Sequence, residues 1–403
     1  MLSYNDAYKI IKDEFEKLNF EKEDILLLHS VGRFLAEDVI SDIDMPPFNH
    51  SAMDGFAMIY DKNHTSWNII GEIAAGSSSE FDIKPGSCVS IMTGARLPQK
   101  ADTVIPIEDV FVDNNKITLK SGITLKKSWN VRLKAEDLKK GATVLKARTK
   151  IESHHISILA SCGKRIVKVF KQLKIGVLAT GDELIDIDFI PERDQIRASN
   201  LYSLISEVNE INLTPVNLGI IEDNELALKS KIEYALNKDI DILVTSGAVS
   251  VGKFDFLREI LSEIGTEELF WKVYIKPGKP LLFSKYNKNG RTILIFSLPG
   301  NPVSSFTNFR IFVKRVIEDV LGNIQPFYFS AILDETIKKK DEKRHYLRSY
   351  AFLDNETQTM YVRKAGGQSS GNMNGLKEAN CFIIFEEDFY VKQKGESVIC
   401  MKI

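Results

Sequence analysis

Cysteine is scarce and scattered in this chain. Its 403 residues hold four, Cys88, Cys162, Cys381 and Cys400, with no CxxC pair. Neither a disulfide framework nor a structural zinc site has the spacing it needs, so reduced core thiols are expected. Long apolar runs are missing too, since none approaches the roughly 18 residues that span a bilayer. The N-terminus, MLSYNDAYKIIKDEF, puts Asp6, Lys9, Lys12 and Asp13 where a signal peptide needs an apolar stretch. A cytoplasmic protein is expected. Charge of one sign is also lacking: 53 Lys and Arg against 55 Asp and Glu leave a net charge of -2. That excludes a global field that would draw the chain to nucleic acid or a membrane surface, so any anion site must be a local cluster. With 24 Gly, 12 Pro and no internal repeat, the chain is neither fibrous nor low in complexity.

At roughly 100–200 residues per domain, this length predicts two to four domains. The texture divides the chain into four. Residues 1–41 and 142–170 read as a helical linking domain: Ala7, Ile10, Ile11, Phe15 and Leu18 recur at helical spacing from residue 3 to about 36, Ser3 or Asn5 can cap that helix, and a second helix, His154–Cys162, stops at Gly163. Residues 42–141 read as an inserted β-rich domain of short runs (67–73, 88–92, 103–107, 116–119) between Gly, Pro, Asn and Asp turns. In 171–326, the apolar runs 173–179, 215–221, 240–245 and 292–297 alternate with helical stretches near 199–211, 224–237, 254–263 and 302–320, which predicts a parallel α/β domain. Residues 327–403 alternate in 346–352, 360–362, 381–385 and 397–403 and predict a small β barrel or sandwich. The charge run Lys338–Arg344, KKKDEKR, reads as a solvated hairpin tip.

In an open parallel sheet, ligands bind beyond the carboxyl ends of the strands. Three strand ends here are rich in small and hydroxyl residues: Thr180-Gly181-Asp182-Glu183, then Thr245 to Gly252 with Ser246, Gly247 and Ser250, then Pro299-Gly300-Asn301-Pro302 leading to Ser304. Such loops expose backbone N–H groups that can cradle phosphate, although each alone could be a tight turn. Asp182, Glu183, Asp223 and Asp255 accompany them. Carboxylates without clustered thiolate or imidazole favour Mg²⁺; Asp255 could instead cap a helix and Asp223 could be a turn residue. In IKPGKP, two prolines and a glycine stiffen a turn that holds Lys276 and Lys279 close, which suits an oxyanion; a solvent-facing pair is the alternative. In the inserted segment, PPFNHSAMDGFA presents Asp54, and IMTGARLP brings Thr93 on a hydroxyl-bearing turn.

The ordered motifs PPFNHSAMDGFA, IMTGARLP with ADTVIPIE, NVRLKAED, ATGDEL, TSGAVSVGKFDF, IKPGKP, LPGNPVS and GGQSSG resemble those of the molybdopterin molybdenumtransferase family, whose relatives include the E domain of gephyrin, across nearly the whole chain. The resemblance implies an elongated four-domain homodimer whose inserted domain reaches the partner's cleft. It implies that adenylylated molybdopterin and molybdate are the substrates, that a divalent cation is bound, and that molybdenum cofactor and AMP are released. Asp54, Thr93, Glu183, Asp223 and Asp255 match the family's functional acids and hydroxyl. Asp182, Glu183 and Asp255 would ligate the cation, and Pro299 and Pro302 would shape the substrate loop. Lys276, Lys279, Ser304, Arg348 and Ser370, or Ser369 in its place, match positions associated with the oxyanion. Transient contact with an adenylyltransferase and with apo-molybdoenzymes is implied as well.

The chain departs from the family pattern in four places. Ala248 and Ala135 stand where glycine is usual, Lys253 where an acid is, and Asn49 where aspartate is. A methyl group at 248 is tolerable if φ there is negative. Two other functions compete. A molybdopterin adenylyltransferase shares the α/β domain, but its TGGTG loop is absent here; a scaffold would not need four acids beside three phosphate loops.

Overall fold

Ser3 accepts a hydrogen bond from the Asp6 amide in the computed structural model, which describes residues 1–77, 79–248, 256–322, 324 and 327–403. That cap starts a helix over Tyr4–Glu16 with Ala7, Ile11 and Phe15 buried. The helix does not continue to residue 36. Lys22–Leu26 instead form a strand antiparallel to Ile166–Phe170, and a short turn of helix, Leu27–His29, follows. Burial alternates along Lys22–Leu26, as a strand requires, and its partner is so distant in sequence that local periodicity could not reveal the pairing. The second helix, His155–Ser161, ends just before Gly163, whose φ of +68° is the left-handed conformation of a helix stop. Val39–Ile40 pair with Thr143–Leu145, so the two connections of the inserted segment run side by side.

The inserted segment is a six-stranded sheet in the order Thr103–Pro106, Gly55–Met58, Ser87–Ile91, Ser66–Ile73, Lys116–Leu119, Val110–Asp113. Separate apolar clusters cover it, one around Val89 and Ile91 and one around Met58 and Trp67.

A second six-stranded sheet runs Thr214–Ile221, Lys174–Thr180, Ile242–Ser246, Arg291–Leu298, Leu282–Lys288, Glu267–Trp271. Its first four strands are parallel, as the alternation predicts. The last two are antiparallel additions that apolar runs alone did not reveal. Asn289 and Gly290 make the two-residue hairpin turn from Leu282–Lys288 into Arg291–Leu298, with φ of 51° and 77°, the paired positive values of a type I′ turn. Helices Ser199–Glu210, Glu225–Leu236 and Leu257–Ile264, with the continuous helical run 302–322, pack on the two faces.

In the last segment, Arg344–Asp354, Thr359–Lys364, Tyr328–Leu333, Ser397–Lys402 and Cys381–Phe385 close into a five-stranded barrel, since Cys381–Phe385 also pairs with Arg344–Asp354. Ile275–Lys276, from the α/β segment, runs parallel to Arg344–His345 and extends this barrel sheet. The charge run is therefore not a solvated tip. Lys339 is buried and gives its ammonium group to the carbonyls of Lys343, Glu386 and Glu387. All four cysteines are buried and free. Among the described residues, no helix is long and apolar enough to cross a membrane.

Candidate functional site

Hydrogen bonds tie the carboxyl ends of the parallel strands to one another. The Gly181 amide donates to Ile221 O at 3.1 Å, and the Asp223 amide donates to Asp182 Oδ1 at 2.9 Å. The Gly247 amide donates to Leu298 O at 3.0 Å. A Cβ on Gly247 would lie 2.4 Å from Thr180 O and 2.6 Å from its Oγ1, and φ is +115°, so only glycine lets these two strand ends approach. Asn200, in the first turn of Ser199–Glu210, spans the other side of the site by donating to Ser246 Oγ at 2.7 Å and Gly300 O at 2.8 Å. Thr180 is buried and its hydroxyl has no hydrogen-bond partner among the described residues. A buried hydroxyl left open at a strand-end cleft is suited to a ligand oxygen.

Of the acids, Asp182 and Glu183 lie exposed directly after the first of these strands, and Asp223 is half-buried after its neighbour. Asp255, Ser250 and Gly252 lie outside the described residues. Among the described residues, no three His, Cys, Asp or Glu side chains form a metal cluster.

The barrel closes the site from another side. Val303, in the helical run that follows Pro299-Gly300-Asn301-Pro302, donates its amide to Ser370 O at 3.1 Å. Ser304 is buried in that same turn of helix, while Ser369 is exposed and Ser370 half-buried. Arg348 is buried beneath the 366–371 loop, and its guanidinium donates to the carbonyls of Asn372, Gly367 and Ser369. Burial lowers its pKa, but the group stays cationic, with no carboxylate within 4 Å among the described residues. In this structure Arg348 holds the loop and lends it positive potential.

The lysine turn sits at the seam between sheet and barrel. Asn308 donates from Nδ2 to Gly278 O at 2.9 Å, and a Cβ on Gly278 would lie 2.1 Å from Asn308 Oδ1. Lys276 Nζ is 3.1 Å from Asp341 Oδ2, and Lys279 is exposed. Asn200, Asn308 and Asp341 were not apparent in the sequence. The first two are single polar residues on helices, and the third hides in a charge run whose partners come from outside it.

Asp54 and Thr93 form a pair of their own. Thr93 donates its amide at 2.7 Å and its hydroxyl at 2.9 Å to Asp54 Oδ1, which holds the exposed carboxyl below the usual carboxylate range. Among the described residues, none of the hydrogen bonds and ion pairs of 42–141 reaches the α/β segment.

Three family models match in succession: the MoeA N-terminal region (domain I and II) over residues 2–163, the probable molybdopterin binding domain over 176–319, and the MoeA C-terminal region (domain IV) over 330–402. The molybdopterin molybdenumtransferase of Haemophilus influenzae is 34% identical over 390 residues, with 95% of each chain covered. The chain belongs to the molybdopterin molybdenumtransferase family. The Bacillus subtilis molybdopterin molybdenumtransferase is 32% identical over 389 residues, covering 94% of this chain and 89% of that one. The crystal structure of the molybdopterin biosynthesis moeA protein from Pyrococcus horikoshii OT3 superposes with a TM-score of 0.84 at 26% identity, covering all of both chains.

Within this molybdopterin molybdenumtransferase framework, the two alanines expected to stand in place of glycine have the left-handed backbone that glycine favours. Ala248 has φ of 51° and Ala135 of 62°. The condition under which the sequence tolerated a methyl group at 248 is not met, so both residues sit in a conformation that disfavours a side chain.

Proposed function

We propose that this protein transfers molybdenum from molybdate into adenylylated molybdopterin, cleaving the adenylyl link and releasing molybdenum cofactor and AMP. The observation that carries the reading is the meeting, in a chain of this family, of the sheet's phosphate-type loops with the barrel's 366–371 loop through Val303 and Ser370. The Thr180, Gly181, Ser246 and Gly247 strand ends and the Pro299–Ser304 loop take the pterin and its phosphates on backbone N–H groups and the open Thr180 hydroxyl. Ser250 and Gly252 join them by sequence. Lys276 and Lys279, with Ser304 and Ser370 and the Arg348-braced loop, take molybdate.

Asp182 and Glu183, with Asp255 by sequence, supply the hard oxygen donors that Mg²⁺ takes, and the ion would offset charge on the adenylyl phosphate. Asp223, fixed through its own amide on Asp182, orients the substrate beside them. Asp54, kept ionised by Thr93, completes the site from the partner subunit of a homodimer.

The test is AMP release. Purified protein given adenylylated molybdopterin should release AMP only when molybdate is added. Transfer of AMP from ATP to molybdopterin instead would identify an adenylyltransferase, and neither reaction would leave a scaffold. Lys276→Ala should raise the molybdate requirement about tenfold to a hundredfold, since a charge-assisted hydrogen bond contributes roughly 1.5–3 kcal/mol. Half-saturation by the adenylylated pterin should change much less.

A further inference from the structure

Asp341 has more partners than a residue in a surface charge run needs. Its Oδ1 accepts from His345 Nε2 at 2.7 Å and from the Lys343 amide at 3.1 Å, while Oδ2 meets Lys276 Nζ at 3.1 Å. The strand Ile275–Lys276 lies parallel to Arg344–His345, so the backbone sets the approach of the two groups. The turn that carries Asp341 is fixed by the buried Lys339, which binds the carbonyls of Lys343, Glu386 and Glu387. Burial pushes the Asp341 carboxyl up, but the bonds from His345, Lys276 and the Lys343 amide outweigh it and hold the carboxyl far below the usual range.

We propose that Asp341, itself oriented by His345, is a positioning residue that presents Lys276 to the oxyanion, a role that rests on Lys276 contacting molybdate as proposed above. The Lys276 side chain is 55% exposed and, among the described residues, has no other ion-pair partner. Without Asp341 its four-carbon stem would sample many rotamers, and binding an anion would have to freeze them. An ammonium group has three donors, so one spent on Asp341 leaves two for the ligand. The negative charge of Asp341 is partly answered by Lys343, 3.8 Å from Oδ2, and by the His345 hydrogen bond. Its repulsion of the anion is therefore weaker than the gain from a lysine already in place.

Equilibrium binding of molybdate alone to the full chain, followed by calorimetry, tests this beside steady-state AMP release. Asp341→Asn should weaken molybdate about threefold to tenfold, the range of one exposed ion pair and its side-chain ordering. The KM for molybdate should rise in step, while kcat at saturating molybdate and the KM for adenylylated molybdopterin stay within about twofold. Asp341→Glu, which keeps the charge, should recover most of the affinity. Unchanged or tighter molybdate binding by Asp341→Asn overturns the proposal and makes the carboxylate a bystander or a competitor. Equal loss of kcat and of pterin binding overturns it as well, because the role would then be general structure. If Lys276→Ala itself binds molybdate as the wild type does, the oxyanion reading of the lysine falls, and this proposal with it.

Discussion

Asp54 shows what a single residue's surroundings decide. It is exposed, yet the Thr93 amide and hydroxyl keep its carboxyl below the usual range, so it acts as an anion throughout the physiological pH range. Thr93→Val removes the hydroxyl and keeps the amide. The Asp54 pKa, followed by NMR, should then rise part of the way back toward an ordinary aspartate, and an unchanged value would mean that the amide alone sets it. Ala135 offers a second test at this scale. A left-handed alanine costs roughly 1–2 kcal/mol and glycine's extra chain entropy about 0.5–1. Ala135→Gly should therefore stabilise the fold by roughly 0.5–1 kcal/mol in urea titrations, and destabilisation would contradict the strain. At this scale Asp54 and Lys276 stood out in sequence because each sits beside prolines and glycine, and Glu183 because it follows Thr180-Gly181 at a strand end. Asn200, Asn308 and Asp341 did not, because their roles depend on partners far along the chain.

Among the elements, the lysine turn depends on Gly278. With φ of 97° and Asn308 Oδ1 only 2.1 Å from where a Cβ would sit, Gly278→Ala must displace the turn or the helix behind it. Molybdate binding should fall about tenfold or more, comparable to losing a lysine contact, while circular dichroism shows a folded chain. His345, on the barrel strand Arg344–Asp354, carries a pH response. Burial lowers the His345 pKa below its ordinary 6.5, against the raising effect of Asp341 and with the lowering effect of Lys276 and Lys339. Between 6.5 and its folded value, the unfolded chain holds a proton that the folded chain lacks. Stability contributed by His345 is thus full above that window and is lost as pH falls through it. His345→Gln should flatten the fall in urea midpoint from pH 7.5 to about 5.5. An identical slope in the variant would assign that fall to other groups.

Elements with a strong local period were legible in the sequence: the four parallel strands and their helices lie within a residue or two of their expected places, apart from the start of the third helix. Lys22–Leu26 and the antiparallel strands Glu267–Trp271 and Leu282–Lys288 were not, since a strand's existence there depends on its partner. The Asn289-Gly290 turn was the signal that could have revealed Leu282–Lys288 as the hairpin partner of Arg291–Leu298.

At the scale of the whole molecule, one chain holds two groups of proposed site residues that no hydrogen bond or ion pair joins among the described residues. Asp54 and Thr93 are fixed inside 42–141, whereas Glu183, Asp223 and the lysine turn belong to the sheet and its seam with the barrel. In a two-fold dimer each subunit can supply the missing half to the other, so two composite sites form together. Asp54→Ala and Glu183→Ala should each be inactive alone. When their subunits are mixed and exchange, about half the dimers are mixed, and each mixed dimer holds one doubly altered site and one intact site. The deciding measurement is molybdate-dependent AMP release from adenylylated molybdopterin by this mixture, with the wild type alongside. A shared site requires release by the wild type and recovery to roughly a quarter of that rate in the exchanged mixture. No recovery after exchange verified with tagged subunits would contradict the shared site, and no molybdate-dependent AMP from the wild type would contradict the function itself.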